Sequence, residues 1–491
     1  MTIRDTAALK TAFGTGKTPT AADFGDFIET TIRARNVRPV EHFGAVGVDF
    51  TSTVSAPVAA ANTAAIQSAI DWSSGTGGAV EFGYGVYGID GTLTAKSNMI
   101  LRGQGGHAGH TVIRQINTAW PDVLASTAAV SANVGGASNC IITGLVLDGG
   151  WTLKNSGTTG GNWDYLLSSK TQRCLYLASH TSGAEALNRQ GAVDTNHFIF
   201  DVWFANAAGR GFLMQGRGEA FISKVKASKC AVVGIDMDCP DNWISDFTTS
   251  TCGSVGLLVG AGNQRIMNGK CWYIGMCEGE EPLGVGVQFS DSSGVKNCTG
   301  VNITTQDTYS AGIQLNGQNL YLNGAIDNAG GGRLEQFGQG WQGTRTRPKV
   351  ALEMANIRDS SGYISIEGQV DTYKNGVLPN LVHFSSSGCD RNAIEISVNR
   401  FNTKYWNSTA VTAVSGYTNA KRHNVVWMNG QLIHGTRTAT ELGDKAHSVN
   451  INKGVGTTVL DSTNNRILVA TAVGDTVPWR TMDGTSVITP A

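Results

Sequence analysis

Apolar and polar residues alternate along this chain in short phrases headed by glycine. Gly211-Phe-Leu-Met-Gln215, Gly234-Ile-Asp-Met-Asp238, Gly256-Leu-Leu-Val-Gly260, Gly286-Val-Gln-Phe-Ser290 and Gly312-Ile-Gln-Leu-Asn316 share one pattern. The first and third positions after each glycine are apolar. The second and fourth are mostly polar, as at Asp236, Gln288 and Gln314, then Gln215, Asp238, Ser290 and Asn316. Period-two alternation is the signature of a strand. These strands also recur. Gly211, Gly234 and Gly256 are separated by 23 and 22 residues, and Ile199, Ile222, Ile244 and Ile266 by 23, 22 and 22. Two markers with one spacing predict a solenoid of parallel strands, each coil hydrogen-bonded to the next. Cys230 and Cys252 are then predicted to stack as an interior thiol pair.

Upstream, Asn62 is predicted to cap a helix running through Trp72, with Ile66 and Ile70 one turn apart. Residues 5–35 read as a helical preface. Ala7, Ala8, Leu9 and Phe13 form one apolar stripe, and Thr20 opens a second helix carrying Phe24, Phe27 and Ile28. Three parts result: an N-terminal docking or neck segment over 1–40, a parallel β-helix with its capping helix over 41–384, and a β-rich C-terminal region over 385–491.

Composition narrows the classes. The chain holds 63 glycines in 491 residues, above the usual share of about 7%. Charged residues are 15%, against about 25% in ordinary soluble proteins. Hydrophobic residues at 41% supply a large core and argue against disorder. Ten prolines and no Gly-X-Y period exclude collagen. A net charge of −1 lacks the basic footprint of a nucleic-acid binder. No apolar run is long enough to span a membrane, and the first residues lack a secretory h-region. Nine cysteines without a C-x-x-C pair support neither zinc nor a disulfide framework. Gly16-Lys17-Thr18 is not a phosphate loop, because Thr11 stands where its first glycine is needed. Synthesis in a reducing cytoplasm, with no cofactor, is the expectation.

The run Phe43-Gly-Ala45, Thr63-Ala-Ala-Ile-Gln-Ser-Ala-Ile70 and Gly77-Gly-Ala-Val-Glu-Phe82 with Gly85-Val-Tyr87 resembles the opening of pectate-lyase-like right-handed parallel β-helix proteins. Ser97-Asn-Met-Ile-Leu-Arg-Gly-Gln-Gly105 resembles their first coil. Here Gly47-Val-Asp49 is followed by an Ala/Ser/Thr-rich insertion to Asn62, where the family has a short turn. The resemblance implies an all-β, right-handed fold whose open end is covered by the helix. The preface from Leu9 to Ile28 resembles short leaders on bacteriophage tail fibres and tailspikes. Together these imply a homotrimeric virion component, attached to the phage tail or baseplate through the N-terminal segment. They also imply binding, and depolymerisation, of bacterial surface polysaccharide.

Stacked coils turn candidate sites into stripes. Glu219 and Asp241 lie 22 apart and hold equivalent places three residues before Ile222 and Ile244. Asp236 and Asp238 share one side of their strand, and Asp238 is three residues from Asp241. Crowded carboxylates raise one another's pKa, and a raised acid beside an ionised partner is what glycoside hydrolysis requires. A Ca²⁺ site, or a solvated stripe balanced by Arg217 and Lys224, uses the same oxygens differently. A second stripe, Trp203, Lys226, Thr248 and Lys270, suits an acidic sugar ring. A third, Phe198, Phe221, Trp243 and Arg265, is expected to pack into the core, with sugar stacking or a trimer contact as its other uses. The loop Cys277-Glu-Gly-Glu-Glu281 reads as solvated. Glycosidic hydrolysis is the preferred activity. Elimination at a uronic acid by an Arg or Lys base, and a non-catalytic fibre, are the alternatives.

Overall fold

The computed structural model describes residues 36–126, 136–151, 171–178, 196–216, 219–275, 283–290, 294–329, 350–367, 380–386 and 388–399, with short segments between 414 and 490. The helical preface therefore lies outside the described residues. The fold is a right-handed parallel β-helix. It divides into two compact units, Met1–Trp151 with Gln172–Ala207 and Met214–Lys226, and Thr152–Thr171 with Ala208–Leu213 and Ala227–Ala491.

In the first unit each coil contributes up to three strands. One row runs Val37–Pro39, Ala79–Glu81, Ile100–Arg102, Ile141–Thr143, Asn196–Phe200 and Glu219–Ser223, all parallel. A second runs Gly85–Ile89, Thr111–Gln115, Val146–Asp148 and Trp203–Ala205. The third comprises Leu93–Ala95, Leu124–Ser126 and Arg173–Ala178.

Helix α1, Ala56–Thr76, covers the first coil. Its buried residues Ala59, Asn62, Ala65, Ile66, Ala69, Ile70 and Ser73 follow the three-four spacing of one face. The helix starts earlier than expected, after Ser55 and with proline in its first turn, so Asn62 is not its cap. Instead Asn62 is fully buried. Its amide accepts from Val46 N (2.7 Å) and donates to the carbonyls of Val46 (3.0 Å) and Gly88 (3.2 Å). Three more polar side chains satisfy the first coil. Asp90 N donates to Thr63 Oγ1, Thr94 N to Gln67 Oε1 and Ile100 N to Ser73 Oγ, at 3.1, 2.7 and 2.8 Å. The helix thereby pairs an edge that would otherwise present open backbone groups.

The second unit carries the glycine-headed phrases as one row: β1 (Val233–Asp238), β2 (Val255–Val259), β3 (Val285–Phe289), β4 (Ala311–Gln318), β5 (Val350–Arg358) and β6 (Asn380–Phe384). Register stacks Ile235, Leu257, Val287, Ile313, Leu352 and Val382 into a buried apolar column. The recurring glycine has a steric cause. A Cβ on Gly234 would lie 2.7 Å from the carbonyl oxygen of Gly256, one on Gly256 2.6 Å from that of Gly286, and one on Gly286 2.6 Å from that of Gly312. Cys230 and Cys252 are buried, and contact between them helps to hold the Cys252 thiol well above its usual pKa.

The other row of this unit runs Trp243–Ser250, Arg265–Ile274, Thr299–Thr308, Tyr321–Ala329, Ser361–Glu367 and Ala393–Asn399. Parallel pairing continues beyond residue 385, to Val425–Met428. The period fades there in sequence because the intervals lengthen. An antiparallel sheet follows, Thr458–Asp461, Arg466–Ala470, Trp479–Thr481 and Val487–Ile488, packed around Leu442, Leu468 and Trp479.

His197 is buried in the first unit and accepts a hydrogen bond on Nδ1 from Cys140 N. Burial pulls its pKa down to about 4. Between that value and about 6.5 the folded chain binds fewer protons here than the unfolded chain. Its contribution is therefore intact above pH 6.5 and declines by about 3 kcal/mol as pH falls to 4. In urea unfolding, His197→Asn is predicted to gain on the wild type by roughly this amount between pH 7.5 and 4; an unchanged difference would refute the assignment.

Candidate functional site

The outward positions of β1–β6 form a continuous row. Register aligns Asp236, Leu258, Gln288, Gln314, Glu353 and His383. Alternation dictates this, because the intervening residues fill the core column. The row begins at the Asp236 carboxyl, passes through the amides of Gln288 and Gln314, and ends at Glu353 and His383.

At the start of the row, Asp236 is 4% exposed and Asp238 is exposed. Two residues apart on one strand, their Cα atoms stand about 6.6 Å apart. Arg210 Nε lies 2.8 Å from Asp236 Oδ2. Burial raises the Asp236 carboxyl; the Arg210 charge opposes the rise and the Asp238 charge adds to it, leaving it at about 6. Gly260, the next residue after β2, faces Asp238: a Cβ there would lie 2.7 Å from Asp238 Oδ1. Glycine there lets the Asp238 side chain lie against the next coil.

The other predicted residues are distributed as follows. Glu219 is exposed at the start of Glu219–Ser223 and belongs to the first unit, whereas the three aspartates belong to the second. Asp241 occupies a left-handed turn, φ 65°, and accepts from Asn263 Nδ2 at 2.9 Å. Asn263 in turn accepts from Asn297, and Asn297 from Asn319, at 3.3 and 3.1 Å. Asp241 thus heads an amide ladder along one corner of the coils. Arg217 lies outside the described residues, as does the loop from Cys277 to Glu281.

The second stripe is brought together in pairs, Thr248 beside Lys270 in register and Lys226 against Trp203. Lys226 Nζ stands 4.0 Å from the centre of the Trp203 ring. Lys270 instead caps Trp272, at 4.6 Å. In the third stripe Phe198, Phe221 and Trp243 are 44%, 61% and 41% exposed, so the expected core packing is overturned. They precede inward isoleucines, and a strand turns neighbouring side chains to opposite faces. Register pairs Phe198 with Phe221, and Trp243 with Arg265.

Sequence reasoning overlooked Arg210. Its signal was present, since the residue before the marker glycine is Val233, Val255, Val285 and Ala311 in the other four phrases and a cation only here. It also passed over a polar groove of about 670 Å³, lined by Gln288, Ser290, Gln314, Asn316, Asn356, Arg358, Ser385 and Ser386 among others. That volume falls within the range of about 300–1,000 Å³ typical of ligand sites. Four of these residues are the polar alternates of the glycine phrases. Gln314 Nε2 donates to Glu353 Oε2 at 2.9 Å, fixing its amide. Among the described residues no group of three His, Cys, Asp or Glu side chains is placed to hold a metal ion.

No family model matches the chain, and no curated protein matches it. Solved structures do. The enzymatically active domain of bacteriophage CBA120 tailspike protein 2 aligns over 91% of this chain and 69% of its own, at 13% identity and a TM-score of 0.50. The A-module of the Azotobacter vinelandii mannuronan C-5 epimerase AlgE6 aligns over 81% and 92%, at 15% identity and a TM-score of 0.49. The likeness to the tailspike domain, at that identity, is one of fold.

Asp236 holds a proton that the unfolded chain releases between about pH 4 and 6, so the stability it contributes is lost as pH rises through 6. Asp236→Asn is therefore predicted to stabilise the protein by about 3 kcal/mol at pH 7.5 and by little at pH 4. Denaturant titrations at the two pH values check this. Equal effects at both would contradict the raised pKa.

Proposed function

We propose that this protein is a tailspike-like component of a phage virion that binds bacterial surface polysaccharide and hydrolyses its glycosidic bonds at Asp236 and Asp238. The observation that carries the reading is the pairing of a buried carboxyl held near pKa 6 with an exposed carboxylate two residues along the strand, beside Arg210. The outward row on which they stand leads into the polar groove. The tailspike-like leader and the fold shared with a tailspike enzymatic domain support the same assignment.

In this scheme Asp236 protonates the leaving glycosidic oxygen. Asp238, exposed at the end of the strand, stabilises the developing oxocarbenium charge and activates the incoming water. Arg210 positions the acid and stabilises its conjugate base after proton transfer. The chain acts as a homotrimer, joined to the phage tail through residues 1–40. Asp241 stays outside this chemistry, because it serves the corner ladder.

Release of reducing ends from purified capsular polysaccharide and lipopolysaccharide tests the proposal. Asp236→Asn and Asp238→Asn are each predicted to lower kcat by about 10²–10⁴-fold. Turnover should decline above pH 6 as Asp236 loses its proton. Full turnover in either variant would remove the pair from the mechanism. Products absorbing as unsaturated uronates would replace hydrolysis with elimination, and binding without new ends would leave a receptor-binding fibre.

A further inference from the structure

We propose that the groove along β3–β5 is a recognition subsite for a carboxylate-bearing sugar residue, read by Arg358. The inference rests on the glycan-binding part of the reading above and is independent of hydrolysis.

Three observations point to it. First, Arg358 is the one charged residue among the described residues lining the groove, which are otherwise amides and hydroxyls with Ala355 and Gly388. Nearby acids have other partners as well, although Asp359 also feels the Arg358 charge and Asp390, which pairs with Arg391, bridges to Arg358 through the backbone. Glu353 accepts from Gln314, and Asp359 is held through both oxygens by Arg391 and also accepts from Gln318. The groove therefore presents one positive charge among hydrogen-bonding groups.

Second, the guanidinium is held in place. Arg358 Nε donates to the carbonyl oxygen of Gly388 at 3.2 Å. With Nε used in this way, the two terminal nitrogens present the paired donors that match a planar carboxylate.

Third, this corner is built at a backbone cost. The pairing of β4 with β5 shifts register between Leu315 and Asn316, so that Asn316 lies opposite Asn356. Asn356 takes a φ of 145°, a value that favours glycine. A Cβ on Gly388 would sit 1.7 Å from Asn356 Oδ1. Asn356, Gly388 and Arg358 are thus mutually fitted at the mouth of the groove, and strain of this kind concentrates at ligand sites.

The groove also has a defined direction. Arg358 stands on β5, four coils from β1, so about 19 Å of stacked strand separates it from the strand carrying Asp236. A polysaccharide lying along the stack would reach both. The described lining residues include no aromatic ring, so they recognise a ligand by hydrogen bonds and charge.

The test immobilises bacterial surface polysaccharides of three kinds: uronate-bearing, phosphate-bearing and neutral. Binding of the full-length protein is measured at 50 and 300 mM NaCl. The wild type is predicted to retain uronate-bearing glycans, more weakly at high salt. Arg358→Ala should weaken that binding at least tenfold with its melting temperature unchanged. Arg358→Lys should recover only part, because an ammonium lacks the fork, and Gly388→Ala should weaken binding by displacing Asn356. Selective retention of neutral or phosphate-bearing glycans would overturn the carboxylate assignment while leaving the tailspike-like reading intact. Uronate binding unaffected by Arg358→Ala would overturn it likewise. No binding to any glycan would overturn both.

Discussion

In-register parallel pairing is the constraint on which the rest of this molecule depends. Each residue sits about 4.8 Å from its counterpart in the neighbouring coil, so every position in a coil chooses company for its own kind. Apolar residues stack into the column from Ile235 to Val382. Amides stack into the corner ladder from Asp241 to Asn319. Glycine follows glycine from Gly234 to Gly312, because the carbonyl of the next coil occupies the space of a side chain.

The same constraint makes charge expensive. Like charges opposed on adjacent strands repel, which agrees with a charged content of only 15%. The outward row of β1–β6 shows how carboxylates are tolerated. Leu258 follows Asp236 in register, Gly260 lets Asp238 lie against the next coil, and Glu353 is met by an amide from Gln314. Asp236 is the exception that is not fully compensated. Burial outweighs the Arg210 charge, and the carboxyl stays protonated to about pH 6. A scaffold that stacks neutral positions so strictly can isolate one acid in this way.

Much of this was legible in the sequence, because a solenoid writes its geometry as a period. The spacing of Gly211, Gly234 and Gly256 located the strands, and period-two alternation placed Asp236 and Asp238 on one side of theirs. Facing was harder. The stripe from Phe198 to Trp243 was expected inside, although its place next to inward isoleucines already directed it outward. Asn62 looked like a helix cap because cap residues and buried polar brackets are the same residue types; only the carbonyls of Val46 and Gly88 decide between them. Asn356 and Arg358 were illegible, since long intervals erase the period before β5 and a register shift displaces the alternation. Pairing between Arg210 and Asp236 required coordinates, because sequence spacing reports coils and not the path of a long side chain.

The coil stack raises the Asp236 carboxyl from the usual aspartate range to about 6. Carbon-13 NMR titration of aspartate side-chain carboxyls, assigned by difference with Asp236→Asn, measures this directly. The Asp236 carboxyl is expected to titrate near pH 6, as a resonance missing from the variant. An Asp236 resonance titrating near 4, as an unperturbed aspartate does, would contradict it.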